Sequence, residues 1–259
     1  AARAEAVAEV AAEVAKAEVE AAAEKLPKTL EMRKKASPAI FRAATFNIYN
    51  FYNKDWKMGS NDKKNRAYSD QMRCIEIIDA DIIALQEAAF EGGYQTSYVP
   101  KDTFISDMVR MGYVVYMNEY DKGRLHNVLA IKRHMKPDFV SKSQGMGGTN
   151  IVRVKDLHGN DIYIVSIHLN LNRDIAEPQL LQIAAMIYKH KNVIMLGDFN
   201  NEKDKLIKMG MPPEFKSYST RRTTGLKRKK IIDHIWFKGN IEPSSLPGET
   251  DTLSHTFHK

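Results

Sequence analysis

The sequence predicts an α/β (α+β) protein whose strands form a mixed sheet system, and three observations predict it. From Phe41 onward, short runs rich in Ile, Val, Tyr and Phe alternate with helical or polar segments. The alternation is irregular, which does not fit the regular strand-helix repeat of a simple doubly wound parallel sheet. One connection, Lys155 to Asp161 with Asp156, His158, Gly159 and Asn160, is short enough to close an antiparallel hairpin. The 259 residues suffice for one large domain or two small ones around a sizeable core.

In chain order, residues 1–26 are mostly Ala, Glu and Val without Gly, Pro or an aromatic residue, and Val7, Val10, Val14, Ala17 and Ala21 recur at spacings of three and four. A helix with a thin apolar stripe is expected there. Its glutamates do not suit a transit peptide or a secretory signal, so it reads as an appended helix or one that packs on another protein chain. Residues 27–40, with Pro27, Arg33, Lys34, Lys35 and Pro38, read as a linker, and residues 41–259 as the main domain. Within that domain strands are expected at Arg42 to Asn47, Ile82 to Gln86, Val114 to Asn118, Val128 to Arg133, Ile151 to Val154, Ile162 to His168, Asn192 to Leu196 and Ile231 to Phe237. Helices fit Arg66 to Ile78, Thr103 to Met111, Glu177 to His190 and Lys203 to Met209. No fixed-period repeat and no Rossmann or P-loop glycine pattern occurs.

Composition narrows the function. No uncharged apolar run approaches the roughly 20 residues of a membrane-spanning helix. The single cysteine, Cys74, excludes an internal disulfide framework and a Cys-rich zinc module, and it suits an intracellular setting. Any metal must therefore be held by oxygen and imidazole ligands. The net charge is +7, from 39 basic and 32 acidic residues. Residues 1–40 cancel to zero, whereas Lys216, Arg221, Arg222, Lys227, Arg228, Lys229 and Lys230 form a stretch without an acidic residue. Such a run is either a solvated basic loop or the footprint of a polyanionic partner.

Polar residues recur at the ends of apolar strands, Asn47, Glu87, His168 and Asp198 with Asn200, and Asp233 sits inside Ile231-Ile232-Asp233-His234-Ile235-Trp236-Phe237. Singly, Asn47 could cap a turn, Glu87 could begin a helix and His168 could be a hydrogen-bonded core histidine. Together they point to a shared crevice, because burying carboxylates costs several kcal/mol unless a cation or donor compensates them.

The ordered series Thr45-Phe46-Asn47, Ile83-Ala84-Leu85-Gln86-Glu87, Ser166-Ile167-His168-Leu169, Leu196-Gly197-Asp198-Phe199-Asn200, Ile232-Asp233-His234-Ile235 and Ser254-His255 resembles the endonuclease/exonuclease/phosphatase superfamily. That superfamily includes deoxyribonuclease I, abasic-site endonucleases and tyrosyl-DNA phosphodiesterases. The resemblance implies a four-layer sandwich of two packed mixed sheets flanked by helices. It also implies phosphoester hydrolysis by water with a divalent metal, Mg²⁺ or Mn²⁺. By the same resemblance, Glu87 is the main metal ligand, and Asn47 sits beside the metal or holds the phosphate. Asp198 orients or deprotonates the attacking water, Asn200 fixes that carboxylate and a phosphate oxygen, and His168 donates to a nonbridging oxygen. Asp233 orients His255, which contacts the phosphate or takes a proton.

Ser254 stands where the family's terminal motif has an aspartate, so metal affinity or activity is expected to be reduced unless Asp251 substitutes. The segment after His255 is short for the family's last strand, so that sheet edge is expected to be finished differently or by residues beyond Lys259. The basic residues Arg221, Arg222, Lys227, Arg228, Lys229 and Lys230 lie where nucleases of the superfamily carry a substrate loop. Tyr52 and Tyr218 could add base stacking, so nucleic acid, DNA or RNA, is the expected partner. The alternatives are a catalytically weakened binding or structural subunit of a larger assembly, and a phosphatase of inositol or lipid phosphates.

Overall fold

Side chains alternate between the two faces of a strand, and here that period sorts the apolar residues into three layers. The computed structural model describes residues 41–48, 61–91, 99–120, 124–142, 148–156, 158–218 and 231–241. The expected helix 1–26, the linker 27–40, Tyr52, the basic residues Arg221 to Lys230, Asp251, Ser254 and His255 lie outside them. Four strands form one sheet: β1 (Ala43–Asn47), β2 (Ile82–Ala88), β3 (Tyr113–Tyr120) and β4 (Leu125–Lys132), in the order β1-β2-β4-β3. The other sheet has β5 (Asp138–Lys142), β6 (Asn150–Lys155), β7 (Asp161–His168), β8 (Val193–Asp198), β9 (Lys216–Tyr218) and β10 (Asp233–Lys238), in the order β5-β6-β7-β8-β10-β9.

Both sheets are mixed. The parallel pairs are β1 with β2 and β7 with β8, and every other pairing is antiparallel. Each parallel pair is joined through a helix, α1 (Asn61–Ile78) or α3 (Arg173–Ile187), as a parallel crossover requires. The remaining helices among the described residues are α2 (Lys101–Arg110) and α4 (Lys203–Lys208), with a short 3₁₀ turn at Arg133–Met135.

Ile82, Ala84, Leu129 and Ile131 of the smaller sheet meet Val152, Val154, Ile162, Ile164, Ile194, Leu196 and Phe237 of the larger one. Their neighbours one residue along face outward. Ile83, Leu85, Val128 and Ala130 pack with Met72, Ile75, Phe104 and Met108 of α1 and α2. Val165, Ile167, Val193, Met195 and Trp236 pack with Ala176, Leu180, Ile183 and Ile187 of α3. The result is helix, sheet, sheet, helix.

All eight expected strands are present within a few residues of the expected bounds. The expected hairpin joins β6 to β7, where Asp156 Oδ1 accepts from the His158 and Asn160 N–H groups and Gly159 takes φ +80°. Strands β5 and β9 were not expected, and two helix starts move. Helix α1 begins at Asn61 rather than Arg66, and α3 at Arg173 rather than Glu177. For α3 the cause is the Asn172 side chain, which accepts from Asp174 N at 3.0 Å and caps the helix one turn ahead of Pro178.

Candidate active site

At one end of the sandwich the inner layer changes from apolar to polar. Two residues beyond Ala84 and Ile164, and two before Leu129 and Val152, the same inward positions carry Gln86, Ser166, Asn127 and Asn150, all fully buried. They sit in register with further polar residues, Asn47 opposite Gln86, Asn118 opposite Asn127 and Asn150 opposite Ser166. Two hydrogen bonds cross the gap between sheets and one lies within the smaller sheet. Asn118 Nδ2 donates to Thr149 O and Asn150 Nδ2 to Asn127 O, both at 3.0 Å, while Gln86 Nε2 donates to Thr45 Oγ1 at 3.2 Å. Buried amide N–H groups paired across the gap in this way hold the two sheet ends at a fixed separation.

The strand-end residues converge just beyond this polar rung. Asn47 Nδ2 donates to Glu87 Oε1 at 2.8 Å and to Asp198 Oδ2 at 3.2 Å, so one amide spans both carboxylates. His168 Nε2 lies 3.7 Å from Glu87 Oε1. His168 pairs with Asp198 in the β7–β8 ladder, and Asp198 pairs with Asp233 in the β8–β10 ladder. The structure thus brings together Asn47, Glu87, His168, Asp198, Asn200 and Asp233, from both sheets.

Local backbone geometry aims these groups. The β2–β4 register shifts between Leu85 and Ala88, and Glu87 within that bulge takes φ +58°. A left-handed glutamate costs on the order of 1 kcal/mol or more, so the surrounding structure must hold it. Gly197 precedes Asp198 because β8 runs close against β7 there: an added Cβ would overlap the Ile167 carbonyl oxygen. Asn200 takes φ +51°, which turns its backbone N–H onto Asp198 Oδ1 at 2.7 Å. Its side-chain Nδ2 donates to Leu169 O at 2.8 Å. The Asp198 carboxylate is therefore fixed by the backbone of Asn200, while the side chain ties the turn to the end of β7.

Asp198 is only 4% exposed, and burial pushes its carboxyl up to about 6 against the opposing pull of the Asn200 N–H and the Asn47 amide. Burial draws His168 down, opposed by the Glu87 carboxylate. Among the described residues no lysine or arginine pairs with Glu87 or Asp198, and no group of three His, Cys, Asp or Glu side chains converges as a metal cage. Tyr218 packs against the apolar layer between the sheets, which takes part of its ring away from any base.

Sequence reasoning missed Tyr120 and the polar rung. Tyr120 Oη and His168 Nδ1 share a hydrogen bond of 2.8 Å. Asn118, Asn127 and Asn150 carried a readable signal, since each occupies an inward position of an otherwise apolar strand.

No family model and no curated protein matches the sequence. Solved structures do match. A humanized TDP2 of D. rerio superposes with a TM-score of 0.57 at 14% identity, over 79% of this chain and 86% of that one. ANGEL2, a 2′,3′-cyclic phosphatase in complex with adenosine-2′,3′-vanadate, gives 0.55 at 14% identity, over 76% and 84%. An endonuclease/exonuclease/phosphatase from Bacteroides vulgatus gives 0.54 at 16% identity, over 76% and 87%. The shared feature at such identity is the fold.

Proposed function

We propose, from the premise that the chain has the endonuclease/exonuclease/phosphatase fold, that it is a metal-dependent phosphodiesterase that hydrolyses nucleic-acid phosphodiester bonds by attack of water. The observation that carries the reading is the pair of carboxylates, Glu87 and Asp198, held on one Asn47 amide beside His168. Their hard oxygen donors suit Mg²⁺, which binds through one or two carboxylates and keeps several waters; Mn²⁺ takes the same ligands. Glu87 and the Asn47 amide oxygen would hold the ion, which when bound supplies positive charge for the phosphoryl and leaving oxygens.

The chain's own groups do the rest. Asp198 accepts a proton from the attacking water as the bond from water oxygen to phosphorus forms and the bond from phosphorus to the ester oxygen breaks. Asn200 N–H and Asn47 Nδ2 keep that carboxylate aimed. His168 donates to a nonbridging oxygen, a contribution typically worth about 3 kcal/mol in the transition state. The departing oxygen takes a proton, the step that the family resemblance assigns to His255 with Asp233.

Nucleic acid is favoured as substrate by the seven-residue basic excess from Lys216 to Lys230, where Arg221, Arg222, Lys227, Arg228, Lys229 and Lys230 would contact successive phosphates. The likeness to ANGEL2 with its adenosine-2′,3′-vanadate supports the same chemistry. The test is a panel of abasic duplex, single-stranded DNA, RNA, 5′-tyrosyl DNA and inositol phosphates with Mg²⁺, Mn²⁺ or EDTA. Nucleic-acid cleavage that stops in EDTA and returns with Mg²⁺ is expected. Full activity in EDTA removes the metal from the scheme, and turnover confined to inositol phosphates moves the substrate to small phosphoesters. No turnover on any substrate turns the reading to a weakened family member that binds or scaffolds.

A further inference from the structure

The His168 imidazole is held from the opposite sheet. Tyr120 ends β3 in the smaller sheet and His168 ends β7 in the larger one. The two rings meet edge to face, with centroids 5.3 Å apart and planes at 79°, and Tyr120 Oη lies 2.8 Å from Nδ1. A hydroxyl can donate to or accept from a ring nitrogen, so this contact alone fits either neutral tautomer. The other nitrogen decides between them. Nε2 faces Glu87 Oε1 at 3.7 Å, and a carboxylate oxygen there favours a proton on Nε2 over a lone pair. With the proton on Nε2, Nδ1 is an acceptor, and the Tyr120 O–H must be the donor.

We propose that Tyr120 is a positioning residue: its hydroxyl donates to His168 Nδ1, locks the Nε2–H tautomer and aims that N–H into the crevice beside Glu87. This inference rests on the phosphodiesterase reading for its consequence, since an Nε2–H is what a nonbridging phosphoryl oxygen needs, but the tautomer is a property of the free protein.

Tyr120→Phe tests the pair, because phenylalanine keeps the edge-to-face contact and removes only the hydroxyl. Two readouts apply: the ¹⁵N shifts of His168 in the metal-free protein at about pH 8, and steady-state kinetics on whichever substrate the panel identifies. The wild-type ring is expected in the Nε2–H form, and the variant ring as a mixture of tautomers. The variant kcat is expected to fall about tenfold with KM within about twofold. Tyr116→Phe, which removes a hydroxyl bonded to Pro137 O on the same strand, serves as control and should leave the His168 signals in place. Unchanged ¹⁵N shifts in Tyr120→Phe overturn the assignment, as does a wild-type ring already in the Nδ1–H form. Should the wild-type protein cleave nothing in the panel, the phosphodiesterase reading falls, and the ¹⁵N result alone upholds or overturns the Tyr120 pair.

Discussion

The two ends of the sandwich treat carboxylates in opposite ways. At the end where β2 begins, Asp79 meets Arg42 Nη2 at 3.2 Å and Lys132 Nζ at 3.0 Å. Beside it Asp81 accepts from Arg42 N at 2.7 Å and lies 3.3 Å from His134. Lys132 also donates to Met111 O at 2.6 Å and sits 4.1 Å over the Tyr113 ring. Asp79 there has two cations, Asp81 has a backbone N–H and an imidazole, and Asp79 is half exposed. Where β2 ends, Glu87 and Asp198 share an amide, a backbone N–H and a nearby imidazole whose proton affinity burial lowers. The first arrangement serves stability. The second retains negative charge that the described residues leave without a lysine or arginine, which is what the proposed divalent ion and attacking water would require.

The sharpest way to break this contrast is Asp198→Asn. If the carboxylate is kept for chemistry, kcat should fall by about 10³-fold, the range for losing a general base, with KM little changed. The melting temperature should hold or rise, because removing a buried charge offsets the hydrogen bond lost when one carboxylate oxygen becomes an amide nitrogen. Thermal melts beside steady-state kinetics give the answer. A large drop in stability with kcat retained would make Asp198 a structural carboxylate like those at the far end.

The polar rung is what keeps the two sheet ends apart at the site, so a loss there should be felt first in folding. Asn150→Ala removes the donor to Asn127 O and leaves that carbonyl buried. A loss of about 2 kcal/mol in urea unfolding is expected, with a smaller effect on KM than on stability. A silent Asn150→Ala would show that the rung is not what fixes the crevice.

The sequence made the scaffold more legible than the site's supports. Continuous apolar runs exposed the central strands because both of their faces are buried, inward by Ile164 and outward by Val165, for example. Strand β5 escaped notice because it is an edge strand with Phe139 and Val140 largely exposed, and β9 because three residues carry no period. The motif residues were visible as polar breaks at strand ends. Tyr120 was not, because its role comes from a partner in the other sheet, 48 residues away. Asn150 was readable as a polar residue at an inward strand position, but its partner, the Asn127 carbonyl on the facing strand, was not.

Acid should weaken the site end through its histidines. His234 donates from Nε2 to Asn201 O at 2.9 Å, behind the turn that carries Asp198, and burial lowers its proton affinity. Its folded pKa lies below the unfolded value, so the unfolded chain binds the proton first. The contribution to stability is whole above about pH 6.5 and is lost as the pH falls toward the folded value. His126, also lowered by burial, acts in the same direction. Unfolding in urea at about pH 8 and about pH 5.5 should differ by on the order of 1 kcal/mol from His234, and His234→Gln should reduce that difference. A pH dependence unaltered by the substitution would place the acid sensitivity elsewhere.

The smallest effect is expected from Asp79→Asn, and its smallness is the test. Asp79 is 53% exposed, so its pairs with Arg42 and Lys132 act in well-screened surroundings and contribute about 0 to 1 kcal/mol. Lys132 keeps the Met111 carbonyl and the Tyr113 ring after the change, so no buried charge is left alone. Stability should fall by less than about 1 kcal/mol, the loss should shrink further in added salt, and kcat should stay within error of the wild-type value. A large fall in kcat from this substitution would mean that the two ends are coupled through β2, and that the balanced charges at Asp79 set the position of Glu87 at the other end of the same strand.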